Sequence, residues 1–151
     1  MFTPLLIASI LVVSTVIIHM VGLVGLMAFL QARSGRIRPF KSSFRQGIFI
    51  VMIVLGLVAI HAVEIWIYAL FYNFAGVFGS MEEALYYSTS TFTTAGFGDV
   101  VIEGDWRIVG ALESFNGFLL IGWSTAFLVA LIGRMRTMEM DWLDRLRNSH
   151  D

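Results

Sequence analysis

Between Pro4 and Leu30 the chain carries no charged residue and a single histidine, His19. The hydrocarbon core of a bilayer is crossed by a helix of roughly 20 such residues, which makes this run a membrane-spanning segment. Two further runs have the same character. Gly47 to Phe71 is interrupted only by His61 and Glu64, and Ile108 to Gly133 carries Glu113 and Asn116 near its start. With 58% hydrophobic and 14% charged residues in a chain of 151, the class is an all-α membrane protein with three transmembrane helices. The first run lacks a basic leading segment and a small-residue cleavage site, and it is too long for a signal peptide. No cysteine is present, so disulfides, thiolate metal sites and thiol catalysis are excluded. Nothing in a net charge of -1 points to nucleic acid.

The basic residues set the orientation. Of the ten Lys and Arg, all but Arg107 lie in two segments. Arg33, Arg36, Arg38, Lys41 and Arg45 fill the first loop, and Arg134, Arg136, Arg145 and Arg147 follow the third span. The positive-inside rule places both segments in the cytoplasm. Spans two and three then leave and return, so residues 74–106 and the N-terminus face outward, in a plasma or inner membrane. The outer segment holds Glu82, Glu83, Asp99, Glu103 and Asp105, and an acidic mouth concentrates cations.

Within that segment Ser80 to Phe92 reads as a helix of about three turns, too short to cross a bilayer. Ser80 with Glu83 gives the S-x-x-E pattern of a capping box. Such a helix enters from outside and stops partway, aiming its negative C-terminal end at the membrane interior, where it favours a cation. Irregular backbone at that depth is tolerated where protein buries it or where it lines a water-filled path.

The run Ala84-Leu85-Tyr86-Tyr87-Ser88-Thr89-Ser90-Thr91-Phe92-Thr93-Thr94-Ala95-Gly96-Phe97-Gly98-Asp99 resembles the pore helix and selectivity filter of potassium channels. In that family a threonine-valine-glycine-tyrosine-glycine loop from each of four chains replaces the ion's hydration shell with carbonyl oxygens. The resemblance implies that Thr94, Ala95, Gly96, Phe97 and Gly98 hold potassium as the permeant ion. Thr93, Asp99, Tyr86, Tyr87 and Ser90 would support them. Glycine at every second position permits the dihedrals that turn successive carbonyls toward one axis. One loop per chain implies a C4 homotetramer in a lipid bilayer, acting as a passive conductor and not an enzyme, with no cofactor. The expected layout is an N-terminal helix over 4–31, a basic cytoplasmic loop over 32–45, a pore domain over 46–133 and a short cytoplasmic tail over 134–151. The pore domain divides into an outer helix 46–72, pore helix 80–92, filter 93–99 and inner helix 107–133.

The chain departs from the family pattern at several places. Ala95 stands for valine or isoleucine, Phe97 for tyrosine, Tyr86-Tyr87 for a tryptophan pair, and Ser90 where some members carry glutamate. A less firmly supported filter points to an alternative of the same architecture, a non-selective monovalent cation channel. Phe92 is bulkier than the residue usual there and is a candidate to fill the space that Ala95 leaves.

Gating features are sparse. The second span has no Lys or Arg series, so no voltage sensor is encoded. The 18 residues after Gly133 are too few for a ligand-binding domain. That leaves room for a separate regulatory subunit. In the tail Met135, Met138, Trp142, Leu143 and Leu146 share one helical face, as in a helix resting at the interface. Gly117 and Gly122 are candidate inner-helix hinges, with close packing as the alternative. His61, Glu64 and Glu113 all fall at a depth level with the filter. They are expected to form a brace behind it, proton-sensitive through His61, while His19 is expected to be an isolated packed histidine. A reading from another class makes His61, Glu64 and Glu113, with His19, the ligands of a membrane metal-binding protein. It leaves the threonine-glycine run without a purpose.

Overall fold

A computed structural model describes residues 2–34 and 43–148, with side chains of 2–32 and 46–134. It contains four α-helices: α1 (Phe2–Ser34), α2 (Ser43–Phe74), α3 (Met81–Phe92) and α4 (Arg107–Asn148), the last preceded by a single 3-10 turn, Gly104–Trp106. Among the described residues three segments are long and apolar enough to span a membrane, Phe2–Ala32, Gln46–Phe74 and Gly104–Arg134. The three spanning helices and the short one are all present: α1 and α2 extend a few residues past their apolar runs, α3 starts one residue after Ser80, and α4 continues well beyond Gly133. The basic residues Arg36, Arg38 and Lys41 lie outside the described residues.

α3 is the short helix. It begins at the N-cap Ser80, whose hydroxyl accepts the Glu83 amide at 3.2 Å. The reciprocal half of the capping box is displaced by one residue. Glu83 Oε2 accepts the amide of Gly79, at 3.1 Å, rather than that of the cap itself. Either arrangement satisfies donors that the first helical turn leaves without intrahelical partners.

α3 wedges between α2 and α4, and α1 packs along the far side of the same two helices. The core around α3 is built from Tyr68, Tyr72, Ala84, Phe92, Val109 and Leu120. A second cluster of Leu23, Leu30, Phe49, Ile53 and Leu57 joins α1 to α2. That joint is close. A Cβ on Gly22 would meet Ile60 at 2.8 Å, and one on Gly56 would meet Leu26 at 2.8 Å. Small residues at such crossings let membrane helices approach where no hydrophobic effect drives them together.

α4 runs without a break from Arg107 to Asn148, so the tail continues the inner helix. The side chains beyond residue 134, and with them the expected interfacial face, lie outside those described.

Candidate functional site

The loop after α3 is where the backbone leaves ordinary geometry. Thr94 has φ 61°, Gly96 φ 53° and Gly98 φ 79°. Every second residue is therefore left-handed, as glycine spacing led one to expect, but the first of the three is a threonine. A β-branched residue rarely adopts this conformation, and such strain persists only where the surroundings impose it. Here the imposing contacts come from α3. Thr93 N and Oγ1 both donate to the Thr89 carbonyl, at 3.1 and 2.7 Å. Thr94 N donates to Thr91 O at 3.0 Å, and Gly96 N reaches back to Ser90 O at 3.1 Å. The last carbonyls of α3 are thus met by the amides of the loop that follows. Residues 93–99 are all exposed in the single chain.

At the outer end of the loop, Tyr86 donates to Asp99 Oδ2 at 2.7 Å, and its ring stacks on Phe97 at 6.3 Å and 20°. The Tyr86 hydroxyl holds the Asp99 carboxyl below the usual carboxylate range, and the same bond raises the tyrosine. Through Tyr86, α3 is therefore tied to both Asp99 and Phe97. Tyr87 instead turns inward, edge-on to Tyr72 at 5.4 Å, with its hydroxyl over Gly110. Ser90 is buried, and its hydroxyl bonds locally to Tyr87 O at 3.0 Å. Phe92 does not fill space behind Ala95. It is fully buried and turned to α2, its ring 5.9 Å from His61 and 6.5 Å from Tyr68. A residue this large in the last turn of α3 fits only in the deeper gap between helices.

Behind α3 a ladder of buried polar groups links the helices. α2 places Glu64, Tyr68 and Tyr72 at successive i,i+4 positions on one face. At the first rung, Glu113 accepts the Tyr72 hydroxyl at 2.6 Å, and its other oxygen lies 2.5 Å from Ser88 Oγ. Ser88 Oγ is also 3.0 Å from the Ile65 carbonyl. At the second, Asn116 Nδ2 donates to Thr15 Oγ1 at 2.7 Å and to the Tyr68 hydroxyl at 3.2 Å. At the third, Glu64 is met by two histidines: His19 Nδ1 lies 2.9 Å from Oε1 and His61 Nδ1 2.8 Å from Oε2. Among the described residues no buried side-chain nitrogen or oxygen lacks a partner. Unpaired polar groups in hydrocarbon each cost several kcal/mol, roughly, so complete pairing is the condition for keeping these groups there.

Two expectations need correction. His19 is not isolated: it is fully buried and bonded to Glu64. Glu113 does not join His61 and Glu64, because Tyr72 and Ser88 occupy both its oxygens two rungs away. The convergent set is instead His19, His61 and Glu64, whose ligand atoms lie within 4.8 Å of one another. Neither the contact of α1 with the pore region nor the roles of Thr15, Tyr68, Tyr72 and Ser88 followed from the sequence. Their one signal was polar residues at helical spacing within apolar runs.

Of the two candidate hinge glycines, Gly117 is a packing glycine, its Cα face pressed on the Phe92 carbonyl. Gly122 has no neighbour within 4 Å of a Cβ, and α4 passes through both without interruption.

A family model described as an ion channel matches residues 48–134, which takes in α2, α3, the loop and α4 to Arg134 and leaves α1 outside. No curated protein and no solved structure matches the chain.

Proposed function

This chain belongs to the ion-channel family, and from that premise we propose that four copies form one pore that conducts potassium passively across a membrane. The observation that carries the reading is the left-handed backbone at Thr94, Gly96 and Gly98. Alternation of this kind turns carbonyls that would point apart in a strand toward one side. A row of such oxygens replaces the water around a dehydrated cation. One chain offers one quarter of the cage, and the exposure of residues 93–99 in a single chain accords with completion by three others. α3 points its C-terminal end at the loop, which favours positive charge there. In this reading Thr94 to Gly98 line the path, and Tyr86, Asp99 and the α3 carbonyls hold the lining in place. The outer face carries the N-terminus and the acidic segment; the basic segments and the C-terminus are cytoplasmic.

A second reading, a pore of the same build that passes monovalent cations without distinction, is favoured by one observation. Ala95 is exposed in the chain and offers little side chain to stiffen the loop. Assembly is common to both readings and is tested by mass measurement in mild detergent. Four copies of the 16.9 kDa chain are expected; monomers or dimers alone, with cation flux retained, contradict the four-fold pore.

A further inference from the structure

We infer that His19, His61 and Glu64 form a binding site for a divalent transition-metal ion, zinc being the type, that clips α1 to α2 beneath the pore helix. The set comes from two helices, His19 on α1 and both His61 and Glu64 on α2, and it goes beyond conduction. Each imidazole aims Nδ1 at a different oxygen of the same carboxylate, at 2.9 and 2.8 Å. The rings themselves are 5.3 Å apart. Two nitrogens and a carboxylate oxygen in one place match the two-histidine, one-glutamate set that holds zinc with a fourth position open.

The spacing is close to what coordination needs. Ligand atoms at zinc–nitrogen distances of about 2.1 Å in a tetrahedron stand roughly 3.4 Å apart. The three here lie within 4.8 Å, so a contraction of at most about 1.4 Å, within reach of side-chain rotation, closes the set. Metal-bound histidines also present their second nitrogen to an acceptor that fixes the ring. Ser124 Oγ stands 3.5 Å from His19 Nε2, on the opposite side of the ring from Glu64. The Trp123 ring packs on the same imidazole at 5.4 Å.

Charge supports the assignment. Glu64 is fully buried in a membrane-spanning segment, and among the described residues its ion-pair partners are the two histidines. A carboxylate in hydrocarbon requires a cation nearby. A metal ion supplies it, and the nitrogen ligands favour a borderline transition metal over magnesium or calcium. His61 is the partly exposed member, its side chain 16% accessible in the single chain.

The experiment is equilibrium binding of zinc to the chelator-stripped, assembled protein in detergent, with cobalt as a spectroscopic probe. The expected result is one saturable zinc per chain and the visible bands of tetrahedral cobalt. Replacing a ligand, in H61N, H19N or E64Q, should weaken binding by more than the roughly 10–100-fold that an outer-shell change costs. The tail variant H150N should bind as the parent does. Absence of saturable zinc binding and of the cobalt bands in the parent protein overturns the site whatever the variants do. So does binding that survives all three ligand replacements or disappears with His150.

Discussion

Gly117 of α4 presses on the backbone of Phe92, the last residue of α3: a Cβ placed there would lie 2.8 Å from the Phe92 carbonyl carbon and 2.9 Å from its Cα. α4 is thus a shelf for the C-terminal end of α3, and the loop hangs from that end. Contact with rigid backbone leaves no side chain free to move aside. Gly117→Ala is expected to destabilise the assembled protein by about 1–3 kcal/mol, the usual range for overpacking, and to reduce flux. Gly122→Ala, in open space, should change neither. Thermal melting of the assembly with parallel flux assays checks the pair, and loss of flux only in the Gly122 variant would restore the hinge reading.

Left-handed backbone gives a second test with a control built into the chain. Gly96 and Gly98 sit at φ 53° and 79°, and Gly76, in the turn after α2, sits at 66°. Alanine at any of the three meets a penalty of about 1–2 kcal/mol, with no steric neighbour in the single chain to add to it. If the loop lines the ion path, Gly96→Ala and Gly98→Ala abolish flux while Gly76→Ala, equally strained, conducts. Equal loss in all three would make the effect one of folding alone.

Glu113 couples three helices through Tyr72 and Ser88. Glu113→Ala leaves the Tyr72 hydroxyl without its acceptor in a dry interior, at about 1–3 kcal/mol, while Ser88 keeps the Ile65 carbonyl. Glu113→Gln keeps an acceptor and adds a donor at nearly the same volume. The alanine variant should therefore melt well below the glutamine variant, with Ser88→Ala between Glu113→Ala and the parent. Equal melting of the two Glu113 variants would show that the network contributes little.

How far the sequence reveals this arrangement depends on the range of the interaction. The spans, the capped short helix and the turn-rich loop are local, and each announces itself within about twenty residues through hydropathy or capping chemistry. The polar ladder is not local. Asn116 pairs with Thr15 across 101 positions and His19 with Glu64 across 45. Helical spacing shows only that such residues share a face with one another, never which helix they meet. For the same reason depth alone groups Glu113 with Glu64, though their partners differ. Bulk does not encode direction, so the sequence shows that Phe92 needs space but not that its ring turns to α2.

The Tyr86–Asp99 bond predicts a pH effect with a definite sign. The hydroxyl favours the ionised form, so Asp99 titrates below its ordinary value. The stability it contributes is present above the ordinary carboxylate range and is lost as pH falls through the lowered value. Removing the donor in Tyr86→Phe returns Asp99 toward ordinary behaviour. Flux should then begin to fail at a higher external pH in the variant than in the parent. Flux measured against external pH checks this, and coincident profiles would mean that the bond does not govern the outer end of the loop.

Passive potassium conduction through the loop that follows α3 is the activity proposed for this chain. Its most direct test is flux in liposomes reconstituted with the assembled protein, with potassium and sodium gradients imposed separately and no energy source. Flux driven by the gradient alone is expected, faster for potassium than for sodium. Equal rates for the two ions would contradict the selectivity, and no flux of either from vesicles that hold the intact assembly would contradict the channel itself.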